Sequence, residues 1–246
     1  MLDYDKEAGD YDALRGGEPR AEAAARAVLG LLPEGTRRLL DVACGTGIVT
    51  RHLATARDGM RVTGLDLTHA MASRAAARLP GSVVIGDGRR LPFRDGEFDA
   101  VTSVWLLHLL GGPEDVRAAV GECARVLRPG GVYVTTVVNS AAHKVGLYIE
   151  ARLAPRPRAP AMDPAPVVEK YAGEHGLRTA GHARFPGRGQ GRSPRRTVAD
   201  LRRGWFVTLP PGDPLADDYA VRLAALPDQD RPRPEPEFSL RAFRKD

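Results

Sequence analysis

The chain has 246 residues, 43% of them hydrophobic, and carries a formal net charge of +5. That length supports one good core with at most a small cap, and the composition is that of an ordinary soluble globular protein. The longest apolar run, "VTSVWLLHLLGG", is far too short to cross a bilayer, and the polar, acidic start "MLDYDKEAGD" is no signal peptide.

Two cysteines, Cys44 and Cys123, form no C-x-x-C pair and demand no disulfide framework, which fits a reducing cytoplasm. The sequence pI of about 9.5 is basic, and a basic chain can mark a polyanionic partner. Arginine, however, outnumbers lysine 32 to 4, alongside abundant alanine, glycine and proline. A GC-rich coding bias accounts for that pattern better than a nucleic-acid surface does.

In chain order, residues 1–20 are polar and poorly periodic, with Tyr4 and Tyr11 each beside an aspartate. "AEAAARAVLGLL" (21–32) is an alanine-rich helix that "PEG" stops. "RRLLDVA" (37–43) reads as a buried strand and "IVTRHLATAR" (48–57) as a helix. "MRVTGLDL" (60–67) is a second strand, followed by a helix over 68–79 with Thr68 at its N-cap. "GSVVIGD" (81–87) is a third strand, and 97–107 contains a fourth. A helix over 113–127 ends at the turn "RPGG", and "VYVTTVVN" (132–139) is a fifth strand. Strands alternating with helices at this spacing predict a parallel sheet covered on both faces.

Beyond Asn139 the pattern is less regular. Helices are expected over 140–155, 167–177, 197–209 and 214–226, and strands over 178–185 and 237–245. "PGRGQGRSPRR" reads as a flexible basic loop. The division expected is a lid or helical segment over 1–36, a ligand-binding core over 37–139, and a completion of the same sheet over 140–246 that carries the substrate-binding insertions.

The stretch "LLDVACGTGIVTRHLA" (39–54) carries the chemistry. Gly45 and Gly47 let backbone approach a ligand, and the helix after them presents free amides to the same place. A dinucleotide loop needs a third glycine where this chain has Thr50, read here as a simple helix residue, and a P-loop needs a lysine after Gly47. Instead Asp41 ends the strand, which suits a cationic amine and would repel a pyrophosphate. Asp66, closing the second strand, can accept both hydrogens of a ribose diol. Asp87, closing the third, can accept from an exocyclic adenine amine while the Gly88 amide donates to the ring, and Leu67 and Met71 can wall the purine. An amine, a ribose and an adenine without phosphate describe S-adenosylmethionine.

The ordered motifs D-V-A-C-G-T-G, "GLDLTHAM", "GDGRRLPF", "FDAVTSVWLLHLL" and "ARVLRPGG" resemble those of class I S-adenosylmethionine-dependent methyltransferases, in the small-molecule branch typified by ubiquinone and menaquinone biosynthesis. The resemblance covers roughly residues 37–139, with Ala43 where many members have glycine. It implies an α/β, Rossmann-like sheet of seven strands, mostly parallel with the last antiparallel, and helices on both faces. It also implies that Asp41, Ala43, Gly45 and Gly47 cradle the methionyl part and that Asp66 binds ribose. Leu67 and Met71 then flank adenine, Asp87 and Gly88 read its edge, and Ser103 lies beside the sulfonium. An N-terminal segment with Tyr4, Tyr11 and Arg15 serves as a lid, in which Tyr11 helps close the cofactor pocket.

The reaction expected is methyl transfer to a small acceptor, a secondary metabolite or quinone-like compound, by in-line displacement in which positioning dominates. His108 and His143 are the candidate general bases. Trp105, Tyr148 and Trp205 are candidate acceptor walls. No metal is expected, and the chain is taken as monomer or homodimer. The alternatives are an RNA methyltransferase using the arginine-rich stretch 184–203 and a non-catalytic S-adenosylmethionine binder. The first lacks both an N/D-P-P-Y/F motif after the fourth strand and a Pro-Cys pair, and an NAD dehydrogenase conflicts with Thr50.

Overall fold

The computed structural model describes residues 8–138, 161–202 and 214–246. Its strands start from the middle of the sheet. β1 (Arg38–Val42) pairs in parallel with β2 (Arg61–Asp66), placing Asp41 opposite Gly64. β1 also pairs in parallel with β4 (Phe98–Ser103), and β2 with the short β3 (Val83–Ile85). β5 (Leu127–Val137) extends the parallel set beside β4. β7 (Glu237–Lys245) runs antiparallel between β5 and β6 (Leu177–Pro186). The order is β3-β2-β1-β4-β5-β7-β6, seven strands with only the last antiparallel, as the sequence pattern and the resemblance anticipate.

The strands are apolar on both sides because both faces are covered. Leu40, Val42, Leu65, Val101, Tyr133 and Phe243 turn one way, and Leu39, Val62, Ala100, Val134 and Leu240 turn the other. The first group packs under helices later in the chain, and the second under α2 (Gly17–Leu29) and α3 (Ile48–Ala54). A short α1 (Tyr11–Leu14) precedes α2, whose Ala21, Ala24, Ala25 and Val28 are buried. α4 (His69–Arg78) follows β2, and α5 (Pro113–Val126) links β4 to β5. α5 opens on a proline followed by Glu114 and Asp115, which suit the positive end of the helix. Its other end is satisfied from β7, where Lys245 Nζ donates to the carbonyls of Ala124 and Leu127, each at 2.7 Å. α6 (Ala165–Glu174), α7 (Pro194–Arg202) and α8 (Pro214–Ala224) complete the described helices.

Two expectations are corrected. "RPGG" does not separate α5 from β5 but lies within β5, whose register slips between Phe98 and Ala100. Leu127 already pairs with Phe98, and the exposed residues after it are accommodated in that irregularity before Val132 pairs with Ala100. The arginine-rich stretch is also less of a loop than its composition suggests. Ser193 accepts from the amide of Arg196 at 3.3 Å, and Pro194 begins α7, so Ser-Pro is a helix start. The segment before it is tied down at Gly187 N–Pro236 O (2.7 Å), Gly189 N–Glu235 Oε1 (2.7 Å) and Arg233 N–Arg192 O (3.1 Å). The helix expected over 140–155 lies outside the described residues.

Candidate functional site

Open parallel sheets hold ligands at the carboxyl ends of their strands, and backbone strain collects at that edge here. Four described non-glycine residues have positive φ: Ala43 (60°), Trp105 (63°), Val138 (55°) and Asp228 (54°). The first three stand just past the ends of β1, β4 and β5. Such conformations cost of order 1–3 kcal/mol each and persist only where the surroundings impose them.

The loop between β1 and α3 is built around two carboxylates. Asp66 accepts from the amide of Gly45 at 2.8 Å and from that of Thr68 at 2.9 Å, so the end of β2 organises the loop of β1. Its burial pushes its pKa up against the pull of those bonds. Asp41 is buried and accepts from the Thr50 hydroxyl at 2.6 Å. Burial, with a smaller repulsion from Asp66, pushes Asp41 up to about 7, against the bond from Thr50. Thr50 is therefore more than a helix residue. At the position of a dinucleotide loop's third glycine, its hydroxyl fixes the acid.

The two glycines do different work. An added Cβ on Gly45 (φ +58°) would meet nothing within 4 Å, so this backbone faces open space. On Gly47 (φ +76°) the same atom would come within 2.9 Å of Ala75 Cα and Cβ, so Gly47 admits the packing of α4. Gly88 is likewise a close approach, its added Cβ falling 2.9 Å from Val42 Cγ1. Leu67, 64% exposed, and Ile85, 55% exposed, stand at the ends of β2 and β3 as apolar walls. Met71, by contrast, is 2% exposed and packs inside. Asp87 is engaged by Arg89, with Nη2–Oδ2 at 2.7 Å and the Arg89 amide at 2.8 Å from Oδ1, which holds its carboxyl below the ordinary range. Arg89 also reaches Asp115 at 2.9 Å.

Ser103 does not present its hydroxyl at the site. It is fully buried, 2.7 Å from the Tyr133 hydroxyl and 2.9 Å from Thr135 Oγ1. Cys44 is buried and its thiol is pushed well above its ordinary value, which removes it as a nucleophile. His108 lies half-buried in the 3₁₀ turn Leu107–Leu109 after β4. His143, Tyr4, Tyr148 and Trp205 fall outside the described residues.

The N-terminal segment is pinned to this loop. Asp12 in α1 accepts from Thr46 Oγ1 at 2.6 Å and from Arg78 Nη2 at 2.6 Å, while Arg78 Nη1 donates to the Thr46 carbonyl at 2.6 Å. The N-terminal segment, the glycine loop and the end of α4 thus meet at one buried threonine between the two glycines. Tyr11 hydrogen-bonds Arg20 of α2, a buried guanidinium held 4.0 Å from the centroid of the Trp105 ring. Sequence reasoning missed Asp12, Thr46 and Arg78, which are distant in the chain and bear no motif. Arg20 did carry a signal, because it shares the 20–24–28 face of α2 with buried Ala24 and Val28.

The comparisons with known proteins bear on this loop directly. Residues 40–135 match the family model described as a methyltransferase domain. A demethylmenaquinone methyltransferase of Beutenbergia cavernae is 35% identical over 133 residues, 52% of this chain and 53% of that one. Its counterpart in Thermotoga maritima is 36% identical over 107 residues, 43% and 45% of the two chains. The chain thus spans about half the length of the curated relatives it matches. Among solved structures, a Thermotoga maritima S-adenosylmethionine-dependent methyltransferase, described as a possible histamine N-methyltransferase, superposes at a TM-score of 0.59 with 16% identity over 99% of this chain and 98% of that one. The [4+2]-cyclase SpnF superposes at 0.62 with 19% identity over 98% and 93%. Both show the fold alone. Residues 40–135 thus match a methyltransferase domain and are similar in sequence to these demethylmenaquinone methyltransferases. The cofactor it implies is S-adenosylmethionine, and the open backbone at Gly45, the acid at each of three strand ends and the apolar Leu67 and Ile85 fit that molecule.

Two outcomes follow from this geometry. Between its ordinary 3.8 and about 7, Asp41 keeps a proton in the folded state that it loses on unfolding. Its contribution to stability therefore falls as pH rises through that window. Asp41→Asn should melt level with the parent near pH 4 and higher than it at pH 8, by a few kcal/mol at about 1.4 kcal/mol per pKa unit; parallel melting curves would contradict the assignment. Asp12→Ala should weaken binding of S-adenosylhomocysteine at least threefold in calorimetry with little change in unfolding midpoint, because it frees the loop rather than the core. An unchanged affinity would show that the clamp does not set the loop.

Proposed function

We propose that the chain transfers the methyl group of S-adenosylmethionine to a small, quinone-like or secondary-metabolite acceptor in the cytoplasm. The observation that carries this reading is the Asp41–Thr50 pair set beside Asp66 at the open Gly45 backbone. Asp41 stands at the loop where a dinucleotide would bring phosphate, and Asp66 beside it suits a ribose. The relatives named for demethylmenaquinone support an acceptor of that kind.

When bound, the cofactor supplies an activated methyl group. The residues of this chain bind, orient and exclude water. Asp41 meets the ammonium, and its ionisation is favoured by that charge. Asp66 accepts from the ribose hydroxyls while keeping Gly45 and Thr68 in register. Leu67 and Ile85 cover the adenine, and Asp87 meets its amine by sharing its oxygens with Arg89. Of the residues assigned to the methionyl part, Gly45 offers the open backbone, Ala43 the strained turn, and Gly47 the packing that keeps the loop in place. The lid carrying Tyr11 is held by Asp12 and keeps water from the centre. His108, just past β4, is the candidate for removing the acceptor proton, a role worth about 10²–10⁴ in rate when the base is well placed. Alignment of acceptor and methyl supplies most of the acceleration, since effective molarities in well-oriented systems reach about 10⁵ M or more.

The arginine-rich stretch supports a small acceptor over RNA. Arg184 pairs with Glu237 at 3.2 Å, Arg192 with Asp200 at 3.0 Å and Arg195 with Asp230 at 2.7 Å, so much of its charge is neutralised within the protein. RNA affinity depends on cations left for phosphates.

In calorimetry, S-adenosylhomocysteine should bind and NAD should not, and Asp66→Ala should weaken the former at least tenfold. Binding of NAD, or an affinity untouched by Asp66→Ala, would overturn the reading.

A further inference from the structure

The strands that hold Asp41, Asp66 and Asp87 form one half of the sheet. Trp105 opens the other half. It follows β4, and its ring meets Phe185 of β6 at 5.8 Å and Phe238 of β7 at 5.2 Å, both edge-on. Its backbone is in the left-handed region and is held there by the Thr136 hydroxyl, which accepts from the Trp105 amide at 2.8 Å. A bulky residue in that conformation is costly, and the fold keeps it.

Over the face of this ring sits the Arg20 guanidinium, on a residue only 5% exposed. Arg20 forms no ion pair among the described residues. Burial, with a smaller push from Arg15, lowers its pKa to about 10 against the pull of Tyr11 and Asp12. Two buried donors at this contact, Arg20 Nε and Trp105 Nε1, have no hydrogen-bond partner. A desolvated cation with no ion pair among the described residues, and orphan donors beside it, are each expensive. Together they describe a place short of one acceptor that carries negative charge.

We infer that Arg20 and Trp105 bind an oxyanion of the methyl acceptor, so that the acceptor carries a carboxylate or an ionised phenol. The inference rests on the methyl-transfer reading above and narrows its substrate class. The position favours the acceptor over the cofactor's own carboxylate, because the contact lies toward β6 and β7, across β4 from Asp66 and Asp87. The aromatic cluster beneath supplies an apolar floor against which a weak acid's remaining body can pack.

The test uses the full chain with S-adenosylhomocysteine bound. Hexanoate, benzoate and salicylate are titrated against their methyl esters, with Trp fluorescence and calorimetry as readouts. At least one acid should bind tenfold or more tighter than its ester. Arg20→Met should abolish that preference and leave S-adenosylhomocysteine affinity within threefold. Trp105→Phe, which keeps a ring and removes one donor, should cut the preference about threefold and keeps the test available if Arg20→Met does not fold. No preference for any acid, or a preference that survives Arg20→Met, overturns the proposal. So does a tenfold loss of S-adenosylhomocysteine with 5′-methylthioadenosine unaffected, which would assign the anion to the cofactor. Failure of S-adenosylhomocysteine to bind the parent protein would instead strike at the methyl-transfer reading itself.

Discussion

Everything at the ligand edge depends on two carboxylates buried side by side at the ends of adjacent parallel strands. Asp66 is tolerated because two backbone amides, Gly45 and Thr68, point at it. Asp41 has one strong donor, the Thr50 hydroxyl, and burial leaves it poised near neutrality. Under the proposed function a site with that charge disfavours phosphate and is relieved by a cation, so that the loop's shape and its ligand preference share one cause.

The loop is not a freestanding cradle. α4 can pack against the loop only because residue 47 is glycine, and Thr46 is joined through Asp12 and Arg78 to the N-terminal segment and to the end of the same helix. Under the proposed function, ligand binding at the glycines is coupled to the order of the N-terminal segment. That segment continues into α2, whose Arg20 lies on Trp105 over the other half of the sheet. One short stretch of chain thereby touches both the glycine loop and Trp105, which under the proposed function are the donor and acceptor sides that an aligned displacement requires.

The alternating strands and helices of residues 37–139 were legible because apolar period and turn residues agree at each step, and β7 was legible as a strand from the alternation in "EFSLRAFRK", its antiparallel direction coming from the family resemblance alone. The acids at strand ends were legible for the same reason, since position in a parallel sheet fixes their address. What was not legible depended on contacts far apart in the chain. Nothing local reveals that Thr50 bonds Asp41, that Ser103 turns inward to Tyr133, or that Met71 packs away from the edge. Composition misled at "PGRGQGRSPRR", where proline and glycine suggested mobility but Ser193-Pro194 starts a helix and Arg192 finds Asp200. Arg20 was overlooked because a charged residue in an alanine-rich helix is usually solvated.

The central claim, that Asp41 selects a cationic amine at the head of this loop, predicts a proton balance. An ammonium group arriving beside a carboxyl whose pKa is near 7 drives it to ionise. Calorimetric titration of S-adenosylhomocysteine at pH 7, in buffers of differing ionisation enthalpy, should report release of roughly half a proton per molecule bound. The release should vanish in Asp41→Asn. Binding with no proton released, or with the same release in the variant, would contradict the account.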